Sequence, residues 1–185
     1  MISHTQTTKS DLVVCPDLAP HPAHAAAPPP LAPGVCIRYH PELIEQLRQN
    51  HLELLGLVAH MEQLALEGDL PGALAQLPQF KRQLQACLLL ANVRLYVYLE
   101  HLLPRQHPGH QVVRSARHSL NTVSAESMAF VERQLRLQAT RAAVTPVDFM
   151  HELSTVAQLM VSQIQQEEDL LYPLYRPQPP RSALT

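Results

Sequence analysis

Residues 41–67 read PELIEQLRQNHLELLGLVAHMEQLALE. Ile44, Leu47, Leu54, Val58, Met61 and Ala65 recur at alternating steps of three and four, which predicts one apolar stripe along a helix. Gly68 follows, and glycine ends helices well because it enters the left-handed conformation without steric cost. The stripe has one polar member: between Leu47 and Leu54 the spacing falls on His51.

The same periodicity returns three times. A second segment runs from Pro71 or Pro78 to Leu103, with Leu77, Phe80, Leu84, Ala91 and Tyr98 on its stripe. Its start is open, because Pro78 suits a first helical turn better than an interior. Pro104 to Gly109 breaks the chain. A third segment, about His110 to Thr140, aligns Val113, Ala116, Leu120, Val123 and Phe130. The fourth begins at Thr145-Pro146, with Asp148 three residues after Thr145 in the manner of a capping box. Its stripe is Phe149, Leu153, Val156, Met160, Leu170 and Leu174. Nothing reads as a strand. Four amphipathic helices with short connections predict an all-α fold, an antiparallel up-down-up-down four-helix bundle.

Outside these segments the composition changes. His21 to Gly34 is almost all Pro, Ala and His, and such a stretch buries too little apolar surface to offset its ordering entropy. Residues 1–38 are therefore expected to be a disordered Pro/Ala/His-rich tail, 39–176 the bundle, and 177–185 a frayed C-terminal tail. His21 and His24 can bind a metal weakly there or simply be solvated. The chain has 185 residues, 46% of them hydrophobic, with 14 Lys and Arg against 16 Asp and Glu. That length suits a single domain, and the balance of charge offers no electrostatic reason to expect a nucleic acid as partner. Cys15, Cys36 and Cys87 make neither a disulfide framework nor a Cys-x-x-Cys metal site. The longest apolar run, Ala86 to Ala91, is far short of a bilayer span, and no secretory signal is visible. A soluble cytoplasmic protein that does not engage membranes is expected.

The informative residues are the polar ones on apolar stripes. In the fourth segment Gln163 and Glu167 stand one turn apart between Met160 and Leu170; in the second, Cys87 and Ala91 hold the corresponding positions. Counted from one end of the bundle at the rise of an α-helix, His51, Cys87, Ala91, Gln163 and Glu167 all fall roughly 12–21 Å in. They converge on one internal layer. A buried carboxylate there must find a cation, a metal or a proton, and His51 is its expected partner. Two readings stand side by side: a metal site built by facing helices, or a hydrogen-bonded cluster of His51, Gln163 and Glu167 that sets helix register. Glu168 is adjacent to Glu167, so only one of the two can face inward.

The runs YHPELIEQLRQNHLELLGL (Tyr39 to Leu57), FKRQLQACLLLANVRLYVYLEHLLP (Phe80 to Pro104) and QIQQEEDLLYPLY (Gln163 to Tyr175) together resemble the hemerythrin-like, HHE cation-binding family of bacteria. The resemblance spans roughly residues 39–175. It implies a four-helix bundle with a non-haem di-iron centre that binds oxygen, nitric oxide or iron, or serves as a sensor. It also implies metal-ligand positions: His51 on the first helix, a site near His118 or Ser119 on the third, and His-x₃-Glu pairs on the second and fourth. This chain has Cys87 and Ala91 for the second-helix pair and Gln163 and Glu167 for the fourth. Ala91 supplies no donor, Gln163 replaces imidazole with a neutral amide, and Cys87 as a thiolate favours a softer ion or a single iron.

The expected function is a hemerythrin-like, non-enzymatic binding or regulatory module with a degenerate di-iron site, working with a protein partner and holding no metal or a partial one. The alternative is a sensor or carrier that holds one iron or zinc through His51, Glu167 and Cys87, with His118. A redox catalyst comes third, because the site is short of donors. His60 and His151 lie off the stripes and are expected in solvent. His101, His107 and His110 gather around the Pro104–Gly109 loop, either as a surface metal or proton-transfer site or as solvated side chains. Tyr96, Tyr98, Tyr172 and Tyr175 sit towards the same end. No Ser-His-Asp spacing, phosphate loop or nucleotide fingerprint is present.

Overall fold

The computed structural model describes residues 38–140 and 143–177; the tail expectations for 1–37 and 178–185 lie outside the described residues. Four long helical rods account for the fold. The first is α1 (Leu43–Leu66). A short α2 (Leu70–Ala75) leads into the second rod, in which α3 (Leu77–Leu90) continues through a π-helical stretch, Ala91–Tyr96, into α4 (Val97–Leu102). The third is α5 (Pro108–Ala139), and the fourth is α6 (Pro146–Gln166), prolonged by a π-helical stretch at Glu167–Leu171 and a 3₁₀ turn at Tyr172–Leu174. No strand occurs among these elements.

Local chemistry explains the boundaries. Gly68 has φ +87°, and the N–H of Asp69 reaches the carbonyl of Leu64 while that of Gly68 reaches Ala65. This is the Schellman closure, which needs a left-handed residue at that point. The choice between Pro71 and Pro78 resolves as both: each sits in the first turn of its own helix, α2 and α3. The side chain of His107 caps α5, its Nδ1 accepting from the N–H of Gly109 at 3.0 Å. Thr145 caps α6, its hydroxyl oxygen accepting from the N–H of Asp148 at 3.1 Å. Removing that oxygen in Thr145→Ala should lower unfolding stability by about 1 kcal/mol, with Thr145→Ser close to neutral, as read from denaturant midpoints.

The rods pack in a ring: α1 lies against α3 and α6, and α5 lies against the same two. Paired positions move in opposite directions along neighbouring rods. On α5 and α6, Arg133 meets Glu152 at one level and the carbonyl of Ala116 lies near Gln163 at another. On α1 and the fourth rod, Arg48 pairs with Glu168 and His51 faces Glu167.

The core is not continuous. One apolar cluster is built on Met61, Phe80, Phe130 and Phe149. The other is built on Leu47, Leu95, Tyr98 and Leu171. The stripes of α1, α3 and α5 pack as their spacing predicts, except that Leu43 is fully buried and its neighbour Ile44 only partly. The fourth stripe departs from expectation beyond Met160. Leu170 is 45% exposed while Leu171 is fully buried. The π-helical stretch at Glu167–Leu171 inserts one extra residue into the turn and rotates everything after it.

Candidate functional site

The boundary between the two apolar clusters is where the polar side chains collect. On α1 it falls between Leu47 and Leu54, at His51; on α3 between Leu84 and Ala91, at Cys87; on the fourth rod between Met160 and Leu171, at Gln163 and Glu167. On α5 it falls between Leu120 and Val123, where no polar side chain enters. His51, Cys87, Ala91, Gln163 and Glu167 thus meet around one cavity of about 30 Å³, which is also lined by apolar neighbours such as Leu88 and Met160. The convergence expected from counting along the helices is what the packing delivers.

His118 does not join them. It is exposed on the outer face of α5, beside Arg114 and Ser115. It lies two residues from Ala116 and from Leu120, which places it across the helix from the buried stripe. The third rod therefore contributes no polar side chain to the layer, only the backbone carbonyl of Ala116 beside the Gln163 amide. His60 and His151 are exposed, as their positions off the stripes predict.

The partner of the buried carboxylate is also different from the one expected. His51 Nε2 stands 3.8 Å from Glu167 Oε2, outside hydrogen-bond range. Glu167 Oε1 instead accepts from the hydroxyl of Tyr96 at 2.8 Å and from the side-chain amide of Gln163 at 3.0 Å. The same amide nitrogen donates to the Tyr96 oxygen at 2.9 Å. Tyr96, Gln163 and Glu167 form a closed triangle linking the second and fourth rods. Tyr96 is fully buried and is the residue that sequence reasoning did not place in the layer. It lies at the end of the π-helical stretch Ala91–Tyr96, where the inserted residue brings it inward beside Leu95 and Tyr98, which the three-four spacing already places there. The only signal in the sequence was the crowding of buried-type residues between positions 95 and 99, too many for a strict three-four stripe.

Electrostatics follow from burial. His51 is lowered to about 4, because desolvation disfavours its charged form and the nearby carboxylate of Glu168 only partly offsets this. Glu167 is raised by the same cause, with the hydrogen bonds from Gln163 and Tyr96 opposing. Burial and the neighbouring Glu167 push the Cys87 thiol up to about 12, so without a cation beside it the thiol stays protonated. His51 Nδ1, Gln163 Oε1 and Glu167 Oε2 are buried without a hydrogen-bond partner.

This donor set does not fit a di-iron centre. His51 and Glu167 are the only strong donors in the layer, and one oxygen of Glu167 is already taken twice. Ala91 offers no ligand atom, and among the described residues no group of three or more His, Cys, Asp or Glu could hold a metal ion. A pair of irons needs several anionic and imidazole ligands to balance its charge.

Comparison with protein-family models, with curated proteins and with solved structures finds no match to this chain. Among the described residues no helix is long and apolar enough to cross a membrane.

Proposed function

We propose that this chain is a divergent hemerythrin-like bundle, antiparallel and up-down-up-down, whose metal centre is degenerate and which acts as a non-enzymatic binding or regulatory module. The opposed pairing along adjacent rods supports the topology. One observation carries the functional reading: Glu167, the one buried carboxylate among the described residues, is bound by Tyr96 and Gln163 at the level where the family would place its metal ligands. A hydrogen-bonded triangle at this level holds the register of two rods without a metal ion, as a scaffold for a protein partner in the cytoplasm would use.

The test is elemental analysis of protein produced with iron and zinc supplied, together with its visible absorption spectrum. The expected result is no stoichiometric metal and no oxo-bridge band. Near-stoichiometric iron with such a band would overturn the proposal.

The unpartnered atoms of His51 and Glu167 beside Cys87 favour a second reading, a sensor or carrier of oxygen, nitric oxide or redox state with one iron or zinc. It is supported if one ion per chain is found and is lost in His51→Ala.

A further inference from the structure

At the corner where α4 turns into α5, the surface carries two adjoining depressions of about 650 and 570 Å³ that share Arg105, His110 and Arg114. One is completed by Glu100 and His101, the other by Gln111, Ser115 and His118. The side chains sort into three kinds. Glu100, the only acid in either wall, is neutralised by Arg117, whose Nη1 donates to its Oε2 at 2.5 Å. Arg105 and Arg114 are exposed and have no acidic partner among the described residues. The remainder, His101, His110, Gln111, Ser115 and His118, are neutral or cationic donors.

From this arrangement we infer that the α4–α5 corner binds a soluble oligophosphate anion. Two free guanidiniums at the junction of two depressions suit a ligand with at least two anionic groups, one in each depression. Each guanidinium offers a planar fork of five N–H donors matched to phosphate oxygens. The imidazole, hydroxyl and amide donors around them exceed what a single carboxylate can accept, since it has about four lone-pair sites. A metal ion is the less suitable occupant. The three histidines have no free carboxylate beside them, and no group of metal-binding side chains forms there among the described residues. The corner is separate from the buried layer, so its ligand and the reading of that layer stand or fall independently.

The probe is inorganic tripolyphosphate, titrated calorimetrically into the full chain at low ionic strength. Saturable one-to-one binding is expected, weakening as salt screens the charges. The double variant Arg105→Ala/Arg114→Ala should weaken it by about tenfold or more. The control Lys81→Ala/Arg82→Ala removes two cations elsewhere and should leave it unchanged. In the unmodified chain, the ring signals of His110 and His118 should shift on titration, a readout that does not depend on any variant folding. Citrate should bind at least about tenfold more weakly, since it offers carboxylates in place of phosphates. The inference is overturned by any of four results: no saturable binding, equal loss in the two double variants, histidine signals that do not move, or citrate binding as tightly as tripolyphosphate.

Discussion

The triple variant Cys87→His/Ala91→Glu/Gln163→His is expected to take up iron to about stoichiometric levels, where the proposed function expects no stoichiometric iron in the unmodified chain. Positions 87 and 91 are one helical turn apart and line the same cavity as His51, Gln163 and Glu167. The three changes would surround that cavity with three imidazoles and two carboxylates. Without metal the variant should be the less stable protein. The cavity of about 30 Å³ is small for the added side chains, and an extra buried carboxylate lacking a cation costs several kcal/mol. Iron bound to the folded state alone then returns stability by mass action. Two measurements check this: metal per chain by elemental analysis, and the thermal midpoint with and without iron. Iron should raise the midpoint of the variant and leave that of the parent where it is. A variant that folds, as judged by its helical circular dichroism, yet takes up no more iron than the parent would refute the assignment of these positions as lost ligands.

The second large effect is in the pH dependence of stability. His51 is held near 4 in the folded chain against an ordinary 6.5. As pH falls from 6.5 towards 4, the unfolded chain takes up a proton that the folded chain refuses, so stability falls, by on the order of 3 kcal/mol in full. Glu167 works in the opposite sense. Its folded value lies above 4.5, so its contribution is complete below 4.5 and is lost as pH rises through the folded value. The two slopes oppose each other between 4.5 and 6.5. Because they oppose, urea midpoints of the parent protein should change little with pH where both act. Glu167→Gln, which keeps the shape of the side chain and a partner for Tyr96, should leave the His51 slope alone, so that stability rises steadily from pH 4.5 to 6.5. His51→Gln should leave the Glu167 slope alone, so that stability falls as pH rises above 4.5. Parallel curves for all three proteins would mean that neither group is buried uncharged, and the electrostatic account of the layer would fail.

Both predictions depend on how a polar level is inserted into an apolar core. Tyr96, Gln163 and Glu167 satisfy one another, and buried hydrogen bonds of this kind define register because a slip by one turn leaves each partner unpaired. The two π-helical stretches border this level, Ala91–Tyr96 on one rod and Glu167–Leu171 on the other. Each begins at a residue lining the cavity, Ala91 in one case and Glu167 in the other. Inserted residues of this kind concentrate where a helix must aim a side chain that regular geometry would point elsewhere.

Much of the bundle is written in local spacing. The three-four stripes of positions 44–65, 77–98, 113–130 and 149–160 specify four helices and the faces they bury, because apolar area at one angular position can leave water only by meeting another such face. Gly68 and Thr145 mark their helix ends through chemistry that acts within a few residues. The shared depth of His51, Cys87, Ala91, Gln163 and Glu167 also follows from counting residues, since the helical rise is constant. Tertiary packing alone decided the rest. An extra residue in a helical turn shifts every later side chain by about 100°, and whether a turn accepts it depends on neighbours on other rods. That shift brought Tyr96 to Glu167 and turned Leu170 out in favour of Leu171, while the packing of α1 against the fourth rod left His51 beside the carboxylate without bonding to it.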